Sequence, residues 1–282
     1  MILFKGIRKL LMFILSPLFN LSKFERKQIY RLNGVVSKKT AKTKLINLIN
    51  DLAPIAIDKV PLIRMGSAYD GGYLIPDDMD GIEACFSPGV GNLIDFELDC
   101  LNRGMDVFLA DNTIDGNNLP LDKFHHTNKN IASFTNATLM TIDDWVNSSG
   151  VAESSDLLLQ MDIEGSEYAA LANMSDTLQK RFRIIALEFH GLHNLWNQDY
   201  FIIAAEVFTK LLETHHCVHI HPNNCDTYVE KDGVKIPVTA EFTFIRKDRV
   251  HNFRKVTTMP HPLDRDNAPE APHLELPPIW YS

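Results

Sequence analysis

Four short apolar runs limit what this chain can fold into more than any other feature. They are EACFSPG (residues 83–89), DVFLAD (106–111), DLLLQMD (156–162) and RIIALEFH (183–190), and each ends in a glycine, an acid or a histidine. Leu157 to Leu159 and Ile184 to Leu187 are continuous rather than alternating, as expected of strands covered on both faces in a parallel sheet. Helix-compatible stretches at Leu93–Arg103 and from Ser166 separate the runs, which gives the punctuation of βαβ units. Tyr200 to Leu212 reads as a further helix. HCVHIH (216–221) and VTAEFTFIRK (238–247) read as two last strands pairing antiparallel at the sheet edge. Ahead of the first run, Lys38–Asp51 has an apolar helical face. The proline-rich tail from Met259 reads as an extended surface segment.

A chain of 282 residues with 45% hydrophobic content supplies one full core, so one main domain is expected over 56–250. It is preceded by a basic amphipathic helical segment (1–55) and followed by a tail (251–282) packing on the domain. Cys85, Cys100, Cys217 and Cys225 form no CxxC pair and read as reduced thiols, in keeping with a cytoplasmic setting. The net charge of −8 is divided sharply: residues 1–44 carry +10 and the remainder −18. So acidic a body disfavours phosphate backbones, and no nucleic-acid partner is expected. The stretch Leu10–Ser22 between basic flanks is shorter than the ~20 apolar residues that span a bilayer. Three readings stay open for it: a signal peptide, attachment of residues 1–34 to a partner or to the inner face of an anionic membrane, or a helix packed on its own domain.

The chemistry-bearing residues gather at the ends of the apolar runs. Pro88-Gly89-Val90-Gly91 is a glycine turn between strand and helix, where a ligand can approach the backbone and unpaired N–H groups. Asp111 closes the next strand 20 residues after Gly91, the separation at which an acid meets ribose hydroxyls in nucleotide-binding α/β folds. A complete G-x-G-x-x-G is absent because Ile94 stands at the third glycine position, which speaks against a nicotinamide fingerprint. Asp162 ends the third run. Glu188 and His190 share one side of the fourth by the period of two. Together the three offer a general base for a hydroxyl, or, through Asp162 and Glu188, ligands for Mg²⁺. His219, His221, Asn223 and Asn224 are candidates for an acceptor pocket. The pairs His125–His126 and His215–His216 read as exposed.

The order of these motifs resembles the FkbM family of S-adenosylmethionine-dependent methyltransferases. SPGVGNLIDFE, FLAD, TIDDW, LLLQMDIEGSEYAAL and IIALEFHGL carry the resemblance, over roughly residues 60–250. It implies a Rossmann-like class I methyltransferase fold of the α/β class, a mostly parallel seven-stranded sheet with helices on both faces, plus the N-terminal helical extension. S-adenosyl-L-methionine is the implied cofactor. Gly89 and Gly91 would face its methionine part, Asp111 its ribose, and Asp143 would lie on the adenine side. Asp162 and His190 would stand beside the methyl acceptor, a hydroxyl of a sugar, glycan or natural product, with His190 as the base and Asp162 or Glu188 orienting it or holding a cation. Ser87 stands where such turns often hold an acid, so Asp70 or Asp95 is expected to take over contacts to the cofactor's amino group. The alternatives from the residues alone are an NAD-dependent oxidoreductase, a nucleotide-sugar enzyme and a noncatalytic binding module.

Overall fold

The computed structural model describes residues 37–91, 93–114 and 123–282; the basic segment through residue 36, with the membrane contact and helical extension expected of it, lies outside them. Seven strands make the main sheet. Numbered along the chain, they are β1 (Ile82–Pro88), β2 (Asp106–Ala110), β3 (His125–Thr127), β4 (Asp156–Met161), β5 (Phe182–Phe189), β6 (His215–Pro222) and β7 (Ala240–Arg246). Their spatial order is 3-2-1-4-5-7-6. Strands 3, 2, 1, 4 and 5 run parallel, and β7 enters antiparallel between β5 and β6. That order and that single reversal define the Rossmann-like class I methyltransferase fold. The last two strands do pair antiparallel, but only β6 lies at the edge.

The continuous apolar runs follow from burial on both faces. One face places Phe86, Leu157, Leu159, Ile185 and Leu187 against helices α1 (Lys42–Asp51), α3 (Ile142–Ser148), α4 (Glu167–Asn173) and α5 (Gln198–Thr214). The other places Cys85, Leu109, Leu158, Ile184 and Ala186 against α2 (Asp95–Asn102) and the hairpin Leu62–Gly66/Gly72–Pro76. Stacking of Phe86 on Phe108, with Trp145 edge-on at 5.1 Å, fills the centre of the first face.

Helix limits follow from capping and competing backbone bonds. Thr141 Oγ1 accepts the Asp144 N–H at 3.1 Å and starts α3, and Asn197 Oδ1 accepts the Asp199 N–H at 2.9 Å and starts α5. α1 begins at Lys42 rather than Lys38 because the preceding residues are held extended: Lys39 bridges to Asn197, and the Thr40 N–H donates to the Trp196 carbonyl. The tail is more than a surface strand. Phe253–Lys255 pairs with Ile55–Ile57, and Trp280 is wholly buried, its indole N–H donating to the Lys235 carbonyl at 3.2 Å. Among the described residues no helix is long and apolar enough to cross a membrane.

Candidate functional site

Ligands of open α/β sheets bind beyond the carboxyl ends of the strands, and the chemistry-bearing residues of this chain converge there. Gly89 adopts φ +80°, and a Cβ on it would lie 1.6 Å from the Asp162 carbonyl oxygen. Only glycine lets the turn after β1 cross so close to the end of β4. Gly91 has φ +57°, and among the described residues nothing lies within 4 Å of its Cβ position. Asp111, almost fully buried, is tied to this turn. Its Oδ2 accepts the Gly91 N–H at 3.2 Å, and its Oδ1 accepts the Thr113 N–H and hydroxyl at 2.7 and 2.6 Å. The acid of the second strand and the glycines of the first form one unit, with lone pairs left for ribose hydroxyls.

Behind the turn lies a buried polar chain. The Ser87 hydroxyl sits 2.5 Å from Glu97 Oε1 and 2.6 Å from Gln160 Oε1, and Gln160 Nε2 donates to the Tyr73 hydroxyl at 3.2 Å. Burial pushes Glu97 up to about 7, against the opposing pull of the Ser87 hydrogen bond.

The second half of the site lies over β4 and β5. Asp162, Glu188 and His190 each place one ligand atom within 4.8 Å of the other two. His190 Nε2 is 3.7 Å from Glu188 Oε2, 3.9 Å from Asp162 Oδ1 and 3.4 Å from Glu164 Oε2. The ring is oriented from behind by Glu167, which has no exposed surface. Glu167 Oε1 lies 3.2 Å from His190 Nδ1 and also accepts the Ile163 and Gly165 N–H groups at 3.1 and 3.0 Å. With Nδ1 donating to that carboxylate, the Nε2 lone pair faces the cleft. Burial lowers His190, but the Glu167 hydrogen bond and the charges of Glu167, Asp162 and Glu164 outweigh it, and the net shift is upward. Burial raises Asp162 to about 6 and takes Glu188 well above the carboxylate range, the Asp162 charge adding to the latter.

Further polar residues extend this half across β6 and β7. Glu188, Glu241 and His221 stand side by side in register across β5, β7 and β6. Asn223 donates to Glu188 Oε1 at 2.6 Å, and Asn267 from the tail donates to Glu241 Oε1 at 2.8 Å and to Asp70 Oδ1 at 3.2 Å. Burial raises Glu241 to about 8. Asp264 lies 2.9 Å from His219 Nε2 and 3.8 Å from His221 Nδ1. His219 and His221 therefore do share a buried face. Asn224 is taken up in bonding the tail at Ala268.

Two of the expected cofactor residues also bond within the chain, and one histidine pair is not exposed as expected. Asp143 is engaged with the backbone, its Oδ2 accepting the Ser175 N–H at 2.9 Å. Asp70 faces Asn267, on a hairpin turn whose Gly71 closes on Leu93. His215, expected to be exposed, is fully buried and bonded to the Phe182 carbonyl at 2.7 Å. Glu97, Glu167, Glu241 and Asn267 were not singled out by sequence. Glu97 and Glu167 read as ordinary first-turn helix acids, and only the left-handed pair Glu164 and Gly165, at φ +55° and +97°, turns two N–H groups onto Glu167.

The strand order, the glycine turn after β1 and the acid ending β2 are features that S-adenosylmethionine-dependent methyltransferases share. Residues 83–217 match the family model of the methyltransferase FkbM domain. The oxidoreductase alternative is thereby set aside. No curated protein matches the chain. Similar solved structures include a protein described as a DNA modification methyltransferase encoded within an E. coli prophage. It is 12% identical with a TM-score of 0.39, covering 65% of this chain and 52% of that one. Another is a SAM-dependent methyltransferase from Archaeoglobus fulgidus, 11% identical with a TM-score of 0.33, covering 60% of this chain and 88% of that one. The chain spans about half the length of the first. The family's cofactor fits the residues present: no described residue lies within 4 Å of the Gly91 Cβ position, Asp111 has acceptor capacity, and Glu97 Oε2 is buried with no hydrogen-bond partner among the described residues.

Proposed function

We propose that the chain transfers a methyl group from S-adenosyl-L-methionine to a hydroxyl of a sugar, glycan or natural-product acceptor. The convergence of Asp162, Glu188 and His190 beyond β4 and β5, with the imidazole set by buried Glu167, carries this reading. When bound, the cofactor supplies an electrophilic methyl on a sulfonium. An alcohol is a poor nucleophile, and His190 Nε2 takes its proton as the oxygen attacks. Glu167 keeps the ring in the tautomer that leaves Nε2 free, and the carboxylates around it stabilise the imidazolium that forms. Gly89, Gly91 and Asp111 hold the donor, and the rest of the protein aligns the partners and excludes water.

The same carboxylates support a second reading, in which Asp162 and Glu188 would hold a divalent cation such as Mg²⁺ that would supply Lewis acidity beside the acceptor hydroxyl. A screen of hydroxyl acceptors with labelled cofactor, run on the wild type and His190→Ala with and without a chelator, decides between them. The base reading expects His190→Ala to cut turnover by roughly 10²–10⁴-fold and the chelator to do nothing. Loss of turnover to the chelator, restored by Mg²⁺, supports the cation instead. Product-analogue binding without turnover on any acceptor would leave a noncatalytic module.

The acidic body supports an acceptor that is a small molecule or glycan and not a nucleic acid. The +10 segment before residue 45 supports a cytoplasmic chain touching the inner face of an anionic membrane through residues 1–34. Vesicle binding that survives removal of residues 1–34 unchanged would refute that contact.

A further inference from the structure

We infer that Glu97 is the counter-ion of the α-ammonium group on the cofactor's methionine moiety, reached through Ser87 from beneath the Gly89–Gly91 turn. The inference rests on the methyltransferase reading and goes beyond it by naming the acid that meets the ammonium. Asp70 is engaged with Asn267, whereas Asp95 acts on Glu97 only as a neighbouring charge on the same helix.

Three observations converge on Glu97. Its carboxyl folds back from the first turn of α2 onto the fully buried Ser87, which ends β1 immediately before Pro88 and Gly89. Its Oε2 has neither solvent nor a partner among the described residues, in a side chain only 3% exposed. A buried lone pair of this kind lacks a hydrogen-bond donor, and an alkylammonium offers three whereas a sulfonium offers none. Thirdly, Ser87 faces two acceptor oxygens with a single proton. The chain from Glu97 to Tyr73 is complete only if Glu97 carries its own proton or Gln160 turns its amide.

The other groups around Glu97 reinforce the protonated form. Asp95 raises it, Cys85 and Cys100 are thiols packed nearby, and Tyr73 stays neutral because burial, with Asp162, Glu188 and Glu241 beyond it, raises the phenol well above its usual range. No cation among these groups faces the carboxyl. An arriving ammonium supplies one, and the proton of the carboxyl leaves to solvent.

The test is calorimetric titration of the full chain with S-adenosylhomocysteine near pH 7, in buffers of different ionisation heat, beside 5′-methylthioadenosine, which lacks the amino-acid portion. The wild type is expected to release about half a proton on binding S-adenosylhomocysteine, as a group near 7 becomes fully ionised. Glu97→Gln abolishes that release and weakens binding roughly tenfold or more, while methylthioadenosine binds both proteins alike. Should Glu97→Gln not fold, the wild type alone decides. Its affinity for S-adenosylhomocysteine rises about tenfold from about pH 6 to about pH 8, and its affinity for methylthioadenosine stays level. Equal proton release in both proteins, or equal pH dependence for both ligands, overturns the role of Glu97 and leaves the cofactor reading standing. Failure of both ligands to bind overturns the cofactor reading and this inference with it.

Discussion

Replacing Glu167 with alanine is expected to destabilise the chain by about 2–5 kcal/mol, a large effect for one residue outside the sheet. Glu167 has no exposed surface, and its Oε1 serves as the common acceptor for the Ile163 and Gly165 N–H groups and for His190 Nδ1. Alanine leaves two part-buried backbone donors without their acceptor and a cavity where the Glu167 side chain had no exposed surface, together about 2–5 kcal/mol, and frees the imidazole to rotate. Glutamine keeps an acceptor oxygen in the same place, and its cost is expected to be about 1 kcal/mol. Thermal denaturation at neutral pH measures the difference. At ~2–4 °C per kcal/mol for a domain near this size, Glu167→Ala melts about 4–20 °C below the wild type, and Glu167→Gln stays within a few degrees of it. If the alanine variant melts within ~2 °C of the wild type, the N–H groups find other partners and the account of the Glu164–Gly165 turn is wrong.

Other consequences are as direct. Gly89→Ala is expected to fail to accumulate as folded protein, because its methyl would meet the Asp162 carbonyl, whereas Gly91→Ala folds at a cost of about 1 kcal/mol and loses cofactor affinity; circular dichroism with a binding titration separates the two. Because folding raises His190, the neutral base prevails only above the ordinary imidazole value of ~6.5, so kcat/KM falls as pH drops through a pKa above that figure, and Glu167→Gln moves this limb to lower pH. The same shift makes the protonated ring stabilising: its contribution is complete below ~6.5 and is lost as pH rises through the folded value, so His190→Ala flattens the pH dependence of the melting temperature there. Trp280→Ala is expected to cost about 3–5 kcal/mol in a denaturant titration, since the indole is wholly buried and its N–H bonds Lys235; a loss under ~1 kcal/mol would show that the tail contributes nothing to the core.

The parts of the fold legible in sequence were those governed by local pattern. Leu157–Leu159 and Ile184–Leu187 announced strands buried on both faces, and Gly89, Asp111, Asp162, Glu188 and His190 stand at strand ends, where a parallel sheet delivers its chemistry. Contacts made across long stretches of chain stayed hidden. Asn267 meets Glu241 and Asp70, and Asp264 meets His219, only because the tail returns over β6 and β7, which no periodicity in a proline-rich segment encodes. The roles of Glu97 and Glu167 were hidden for another reason. A helix's first turn favours acids whatever they touch, so an acid bonded backward onto the preceding turn has the same sequence signature as a solvated one. Asp143, placed on the adenine side by the resemblance, accepts the Ser175 N–H, a bond between distant residues that no local pattern encodes.

The central claim is that this strand-end site binds S-adenosylmethionine through the glycine turn and Asp111. Calorimetric titration with S-adenosylhomocysteine, with NAD as control, measures it most directly in the wild type and in Asp111→Ala. The account predicts saturable binding of S-adenosylhomocysteine by the wild type, its loss in Asp111→Ala with the fold intact by circular dichroism, and no binding of NAD. Binding of NAD in its place, or S-adenosylhomocysteine affinity unchanged by the substitution, would contradict it.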